Sequence, residues 1–139
     1  GCDQEQIYET SRPAGVGMKR STVILLAATS ALAAGAAHAD AKRGEKLFEE
    51  CRACHAVERG VNGVGPDLHG VFGRRAATLD DFRFSPALKK SGITWTVQTM
   101  DAYVVDPQKA VPANRMPYAG MPDARDRADL IEYMQQTFK

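Results

Sequence analysis

The chain has 139 residues, of which 25% are charged and 44% hydrophobic, and its net charge is +1. This length and balance predict one small globular domain and exclude a disordered tail or a multidomain assembly. The sequence has no block of Lys or Arg and no basic stripe interleaved with aromatic residues. We therefore expect no nucleic-acid partner.

The N-terminal third has the pattern of an export signal. A short basic start at residues 18–20 precedes an apolar run of Val, Ile, Leu and Ala at 21–37, and Ala37-His38-Ala39 is a small-x-small cleavage sequence. These features predict a signal peptide at 18–39, a domain at 40–139 in the periplasm, and no stable membrane insertion after cleavage. A membrane anchor is the alternative, but the run is short and Ala-rich. Residues 1–17 are expected to be an upstream segment without function.

Helical signals dominate the domain. A short helix is predicted at 41–51, and Ser85-Pro86 is a cap and first-turn pair for another at 86–91. Thr94 can cap a helix at 95–105 that ends at Asp106-Pro107, and Asp123 can cap a last helix to about residue 138. Residues 56–82 and 107–122 are expected to be loops. The prediction is an all-α fold with three main helices and one short helix.

Two long loops leave such a domain with little apolar surface to bury among its own side chains. Long loops without secondary structure are uncommon in compact domains unless something else organises them. We therefore expect a large apolar cofactor to act as part of the core.

The segment ECRACH, with Cys51, Cys54 and His55, identifies that cofactor. In a C-x-x-C-H motif each thiol adds to one vinyl group of a haem, and the adjacent imidazole binds the iron. A disulfide is the simpler alternative in an oxidising compartment. A thioredoxin-like dithiol would need a βαβ context, and a zinc site would need two more ligands, and neither is found. The sequence therefore predicts one covalent haem c.

The sixth iron ligand decides whether the haem is closed, for electron transfer, or open, for gas or peroxide binding. Met100 and Met134 lie at helical spacing among apolar residues and are expected to fill the core. His69 is expected at the surface or in a hydrogen bond. Met116 and Met121 lie in one proline-bounded loop, far along the chain from His55. Spacing alone does not choose between them.

From residue 41 to 139 the sequence resembles the class I c-type cytochromes of the mitochondrial and soluble bacterial type. The matching motifs, in order, are GEKLFEECRACH, GVGPDLHGVFGR, SGITW, DAYVVDP, RMPYAGM and RADLIEYM. The resemblance implies a small cytochrome c fold, with helices and long loops wrapped around one haem. It also implies that the first and last helices cross at Gly44, Phe48, Leu130 and Tyr133.

The same resemblance assigns further site residues. It implies that Met116 is the second iron ligand and that the Pro66 carbonyl accepts a hydrogen bond from the far nitrogen of His55. Arg74 and Trp95 match positions that bind a haem propionate, and Tyr103 matches a phenol near the axial Met.

The sequence also departs from the family pattern. Phe84 stands where a Tyr hydroxyl usually meets a propionate, and Asn114 stands where Thr is common. The ring of lysines around the haem edge is thin: Lys109 and Arg115 remain, whereas Glu50, Gln108 and Asp123 occupy places that are often basic. We expect partner docking to depend less on charge than in the mitochondrial proteins.

These observations predict a monomeric periplasmic one-electron carrier and no enzymatic activity. Its partners are expected to be membrane redox complexes, such as those of a respiratory chain, or periplasmic redox enzymes that dock briefly at the haem edge. The alternatives are an open haem in an enzyme or gas sensor, and a domain that stays tethered to a membrane complex.

Overall fold

The computed structural model describes residues 38–139, so the expected upstream segment and nearly all of the expected signal peptide lie outside the described residues. The described part is helical, with an isolated bridge between Arg75 and Thr94 and no strand. This confirms the all-α prediction. The five helices of the described residues are α1 Ala41–Arg52, α2 Pro86–Lys90, α3 Val97–Val105, α4 Pro107–Ala110 and α5 Ala124–Thr137.

The one-turn helix α4 lies in a segment that was expected to be loop. Asp106 ends α3 and also caps α4, because its carboxylate accepts the Lys109 N–H at 3.0 Å. Pro107 then occupies the first turn, where a missing N–H costs nothing. The dipeptide that was expected only to stop one helix therefore starts another.

Helix α3 begins two residues later than predicted. Its cap is Thr96, whose hydroxyl oxygen accepts the Thr99 N–H at 3.2 Å. In turn, the Thr99 hydroxyl oxygen accepts the Thr96 N–H at 2.8 Å. This reciprocal capping box satisfies two backbone donors that a helix start leaves free. Trp95 instead pairs its backbone with Arg74 and Gly73, at 2.9 and 2.7 Å. The caps Ser85 and Asp123 are confirmed.

The first and last helices cross at a contact that admits no side chain. A Cβ on Gly44 would lie 1.9 Å from the Asp129 carbonyl oxygen. Phe48, which is 0% exposed, packs its ring 5.7 Å from Tyr133 and 4.9 Å from Phe138. The close approach therefore brings apolar faces of both helices together, and it fixes the direction in which α1 runs into the cysteine motif.

A buried carboxylate joins the same two helices. Asp129 is 1% exposed and accepts the Asp40 N–H at 2.7 Å and a hydrogen bond from Arg43. The hydrogen bond from Asp40 and the Arg43 guanidinium hold the pKa of Asp129 below its usual range. A buried charge that is fully paired is tolerated, whereas an unpaired one is strongly destabilising.

The loop after α4 is anchored to both α3 and α5. The Met121 N–H donates to the Val104 carbonyl at 2.8 Å. Arg127, on α5, donates to the Asp101 carboxylate at 2.8 Å and to the carbonyls of Met121 and Pro122.

Within residues 38–139, no helix is long and apolar enough to cross a membrane.

Gly44→Ala tests the helix crossing. The added methyl group would meet backbone rather than a movable side chain, so we expect unfolding free energy to fall by about 3 kcal/mol, despite the better helix propensity of Ala. Guanidinium denaturation followed by circular dichroism measures this. The control Glu45→Ala changes an exposed neighbour in the same helix and is expected to stay within about 0.5 kcal/mol of wild type. Equal stability of the two variants would contradict the packing argument.

Candidate functional site

A cavity of about 340 Å³ lies within the described domain, and its walls are mainly apolar and aromatic. It is lined by side chains from α1, α2, α3, α5 and the intervening loops. All eight of the site residues named from the sequence line it: Cys51, Cys54, His55, Pro66, Arg74, Trp95, Tyr103 and Met116. The fold thus brings together residues that are up to 65 positions apart in the chain.

Both cysteines face this cavity from the end of α1. The N–H groups of Cys54 and His55 donate to the Cys51 carbonyl at 3.1 and 3.0 Å, which curls the motif into a tight turn. The two thiols do not form a disulfide with each other. Burial, with a smaller contribution from the charge of Glu50, raises the pKa of Cys51 to about 11. The free thiol of this residue, before any ligand is attached, is therefore protonated at neutral pH.

His55 is held with one ring nitrogen free. Its Nδ1 lies 2.7 Å from the Pro66 carbonyl, which can only accept, so Nδ1 carries the proton and Nε2 has a free lone pair. Burial lowers the pKa of His55, although the bond to Pro66 opposes this. Gly65 packs against the ring face, where a Cβ would lie 2.4 Å from Cε1. The imidazole is therefore neutral, fixed and able to bind a metal ion.

The structure separates the two methionines that spacing could not. Met116 lines the cavity and is half-buried. Its N–H donates to the Asn114 side-chain oxygen at 2.7 Å, and its carbonyl accepts from Gln108 at 3.1 Å. Met121 is 6% exposed and packs in the protein core, away from the cavity lining. Only Met116 of this pair lines the cavity.

Met100 and Met134 lie in the core, as their helical spacing predicted, whereas His69 is neither at the surface nor hydrogen-bonded through its ring to any described residue. Met100 and Met134 are buried in α3 and α5, although both also contribute to the cavity wall. His69 is partly buried outside the lining, and its backbone carbonyl accepts a hydrogen bond from Arg74 at 3.0 Å.

One part of the cavity wall is polar and aromatic. Arg74 donates to the carbonyls of His69 and Asp67 at 3.0 and 2.8 Å. These bonds use two of its five N–H groups. Trp95 and Tyr103 pack edge to face with ring centres 5.1 Å apart, and burial raises the pKa of Tyr103 to about 12. The indole, phenol and guanidinium donors suit an acidic group on an otherwise apolar ligand.

These residues fit a covalently held haem. The cavity offers apolar walls for the ring, paired thiols for its vinyl groups, and an imidazole nitrogen and a thioether for its iron. It also offers donors for the acidic side chains of the ring.

Comparison with known proteins agrees with this fit. The sequence model of the family described as Cytochrome c matches residues 41–138. This chain belongs to the cytochrome c family. It is therefore an electron carrier with covalently bound haem c, and not an enzyme.

Relatives of this cytochrome include bacterial and animal proteins. It is 42% identical to cytochrome c2 of Blastochloris viridis over 118 residues, which cover 84% of this chain and 93% of the relative. It is 46% identical to cytochrome c2 iso-2 of Magnetospirillum molischianum over 97 residues, or 70% and 97% of the two chains. It is 39% identical to cytochrome c 2.1 of Caenorhabditis elegans over 97 residues, or 69% and 87%.

Three supporting residues of this cytochrome were not foreseen in their observed roles. Gly65 packs on the imidazole, Asn114 holds the backbone of Met116, and Asp67 is buried behind Arg74. The only signal for Asp67 is that it is the one acidic residue of the segment GPDLHG. Asn114 stands where Thr is common in the family, and its amide donates to the Pro107 and Val111 carbonyls at 2.6 and 2.9 Å. Phe84 does line the cavity, without a hydroxyl to offer.

Asn114→Ala tests how Met116 is held. The variant leaves the partly buried Met116 N–H without its acceptor, so we expect a loss of about 1–3 kcal/mol in unfolding free energy. The Met116 amide should also exchange its hydrogen much faster than in wild type, as measured by NMR. The control Asn62→Ala removes another loop amide, which accepts the Asp67 N–H at 2.9 Å, and should leave Met116 protected. Unchanged exchange at Met116 in Asn114→Ala would show that this bond does not hold the loop.

Proposed function

We propose that this cytochrome is a periplasmic one-electron carrier of a respiratory chain, in which His55 and Met116 are the two axial ligands of the haem iron. Cys51 and Cys54 form the thioether links to the ring. The observation that carries the proposal is that His55, with a free Nε2, and Met116 line the same cavity. The bound haem supplies a single electron site, since its iron alternates between the ferric and ferrous states.

The residues around these ligands favour electron transfer without rearrangement. Pro66 fixes the orientation of His55 through its carbonyl, and Asn114 and Gln108 hold the backbone of Met116 on both sides of the residue. His55 and Met116, both held in place, would bind the iron in either oxidation state, and the soft thioether would favour ferrous iron and thus a high potential.

The polar wall gives the remaining site residues their proposed roles. Arg74 and Trp95 bind the acidic side chains of the ring, and Tyr103 packs on Trp95 beside the ligand pocket. The free N–H groups of the guanidinium support this role, because charge-assisted bonds to carboxylates are strong in a partly buried site.

Leucine substitutions at the two loop methionines test the axial assignment. Met116→Leu conserves side-chain volume but removes the thioether. We expect it to abolish the weak far-red charge-transfer band between sulfur and iron in the ferric protein. Met121→Leu is the matched control and should retain the band, because Met121 packs in the core.

A band that survives Met116→Leu, or that disappears in Met121→Leu, would contradict the assignment. A wild-type ferric protein that is high-spin, and a ferrous form that binds carbon monoxide rapidly, would instead indicate the open-haem alternative.

We also propose export with cleavage after Ala39, so that the mature domain begins at Asp40. The Asp40 nitrogen donates at 2.7 Å to the buried carboxylate of Asp129. Cleavage would convert this donor into an ammonium group, which bonds more strongly to a carboxylate than a neutral amide does. The region similar to the Blastochloris viridis protein is 118 residues long, whereas only 100 residues lie from Asp40 to Lys139. The similarity therefore extends upstream of Asp40. Residues 1–17 are proposed to have no role.

Mass spectrometry of the exported protein tests this proposal. We expect an N-terminus at Asp40, and accumulation of uncleaved protein in Ala39→Leu, because the processing site needs a small residue there. Ala36→Leu is the control and should be processed normally. A mature protein that retains residues 21–37 would favour the tethered alternative.

Partner docking is proposed at the mouth of the cavity, with this cytochrome acting as a monomer. The charges there are mixed, since Glu50 lines the cavity together with Arg83 and Arg115. Val64, also at the lining, is 72% exposed. A small surface with an exposed apolar residue and few net charges suits brief contact with membrane redox complexes or periplasmic redox enzymes.

A further inference from the structure

Asp67 is a buried charge beside the haem cavity that the electron-carrier chemistry does not itself require. It is 2% exposed, and its neighbours Pro66 and Leu68 both line the cavity, whereas Asp67 does not. Its Oδ1 lies 3.6 Å from Nη1 of Arg74, whose side chain is 19% exposed and does line the cavity. Arg74 thus belongs to the cavity wall, and the Asp67 carboxylate lies behind it.

The contacts of Asp67 hold it in this position. Its two oxygens accept the N–H groups of Gly60 and His69 at 3.2 and 3.1 Å, and its backbone carbonyl accepts from Arg74 at 2.8 Å. An amide at this position could keep the bond to the His69 N–H through its single oxygen, and it would lose only the bond to Gly60, which is exposed so that water can replace it. What the carboxylate adds beyond these bonds is a negative charge at a site where water screens it poorly.

We propose that Asp67 lowers the redox potential of the haem by offsetting the positive charge of Arg74. Reduction adds one electron to the iron, so a nearby positive charge favours the ferrous form and a nearby negative charge favours the ferric form. With Asp67 in place, Arg74 can bind an acidic group of the ring while the pair contributes little net charge. The proposal rests on the placement of Arg74 beside the haem carboxylates proposed above.

Asp67→Asn is the direct test, because it removes the charge and nearly conserves the shape. We expect the equilibrium constant for reduction against a fixed reference couple to rise at least about threefold, which is roughly 28 mV for a one-electron couple. The shift should persist at 1 M salt, where exposed charges are screened within about 3 Å. The control Asp80→Asn removes an exposed carboxylate of the same charge and should change the potential little, and less still at high salt.

Two further variants separate charge from structure. Asp67→Glu keeps the charge and alters the geometry, so it should keep a potential near that of wild type if charge is the cause. Arg74→Gln should shift the potential downward, because it removes the positive charge and leaves the carboxylate uncompensated. If Asp67→Asn does not fold, Asp67→Glu still tests the proposal, because a clearly altered potential in that variant would overturn a role based on charge.

The results distinguish this proposal from the axial assignment. The far-red band reports on Met116 in every variant, independently of the potential. An unchanged or lower potential in a folded Asp67→Asn that keeps the band would overturn the role of Asp67, as would an unchanged potential in Arg74→Gln. An equal upward shift in Asp67→Glu and Asp67→Asn would assign Asp67 a purely structural role.

Discussion

The site depends on the contact between the first and last helices. Gly44 lets the backbone of α1 approach that of α5 at Asp129, and Phe48 then fills the space between α5 and the cavity. Because α1 ends at Arg52, this crossing fixes where the thiols and the imidazole of the motif point. A motif only five residues long could adopt its local turn without the crossing, but it would not face a cavity.

Each of the two long loops turns back and places residues at that cavity. The segment after the motif turns back so that Gly65 and Pro66 support the imidazole, and the segment after α4 returns to present Met116. Neither loop has regular secondary structure to hold it over most of its length, so side-chain amides and carboxylates perform this role. The haem then serves as the apolar core around which a small domain with long loops can fold.

Buried charges hold the irregular backbone in place. Asp129 joins the start of α1 to α5, Arg127 joins the loop before α5 to α3, and Asp67 and Arg74 join two parts of the loop that follows the cysteine motif. Each is satisfied by backbone groups as well as by an opposite charge, which is the condition for tolerating a charge in the interior. The first two act on stability, whereas Asp67 lies close enough to the cavity to act on the electron site.

The sequence alone determined the chemistry, because the C-x-x-C-H motif places its two thiols and its imidazole within one turn of chain. The covalent chain sets that spacing, so no tertiary structure is needed to bring the three groups together. It also determined the all-α class and the caps at Ser85 and Asp123, which depend on neighbouring residues. The tertiary structure decided what depends on distant contacts. Thr96 rather than Thr94 starts α3, because the Trp95 backbone pairs with Arg74. Met116 rather than Met121 faces the cavity, because Asn114 and Gln108 hold the first while Val104 and Arg127 anchor the second in the core, and no local spacing encodes those partners.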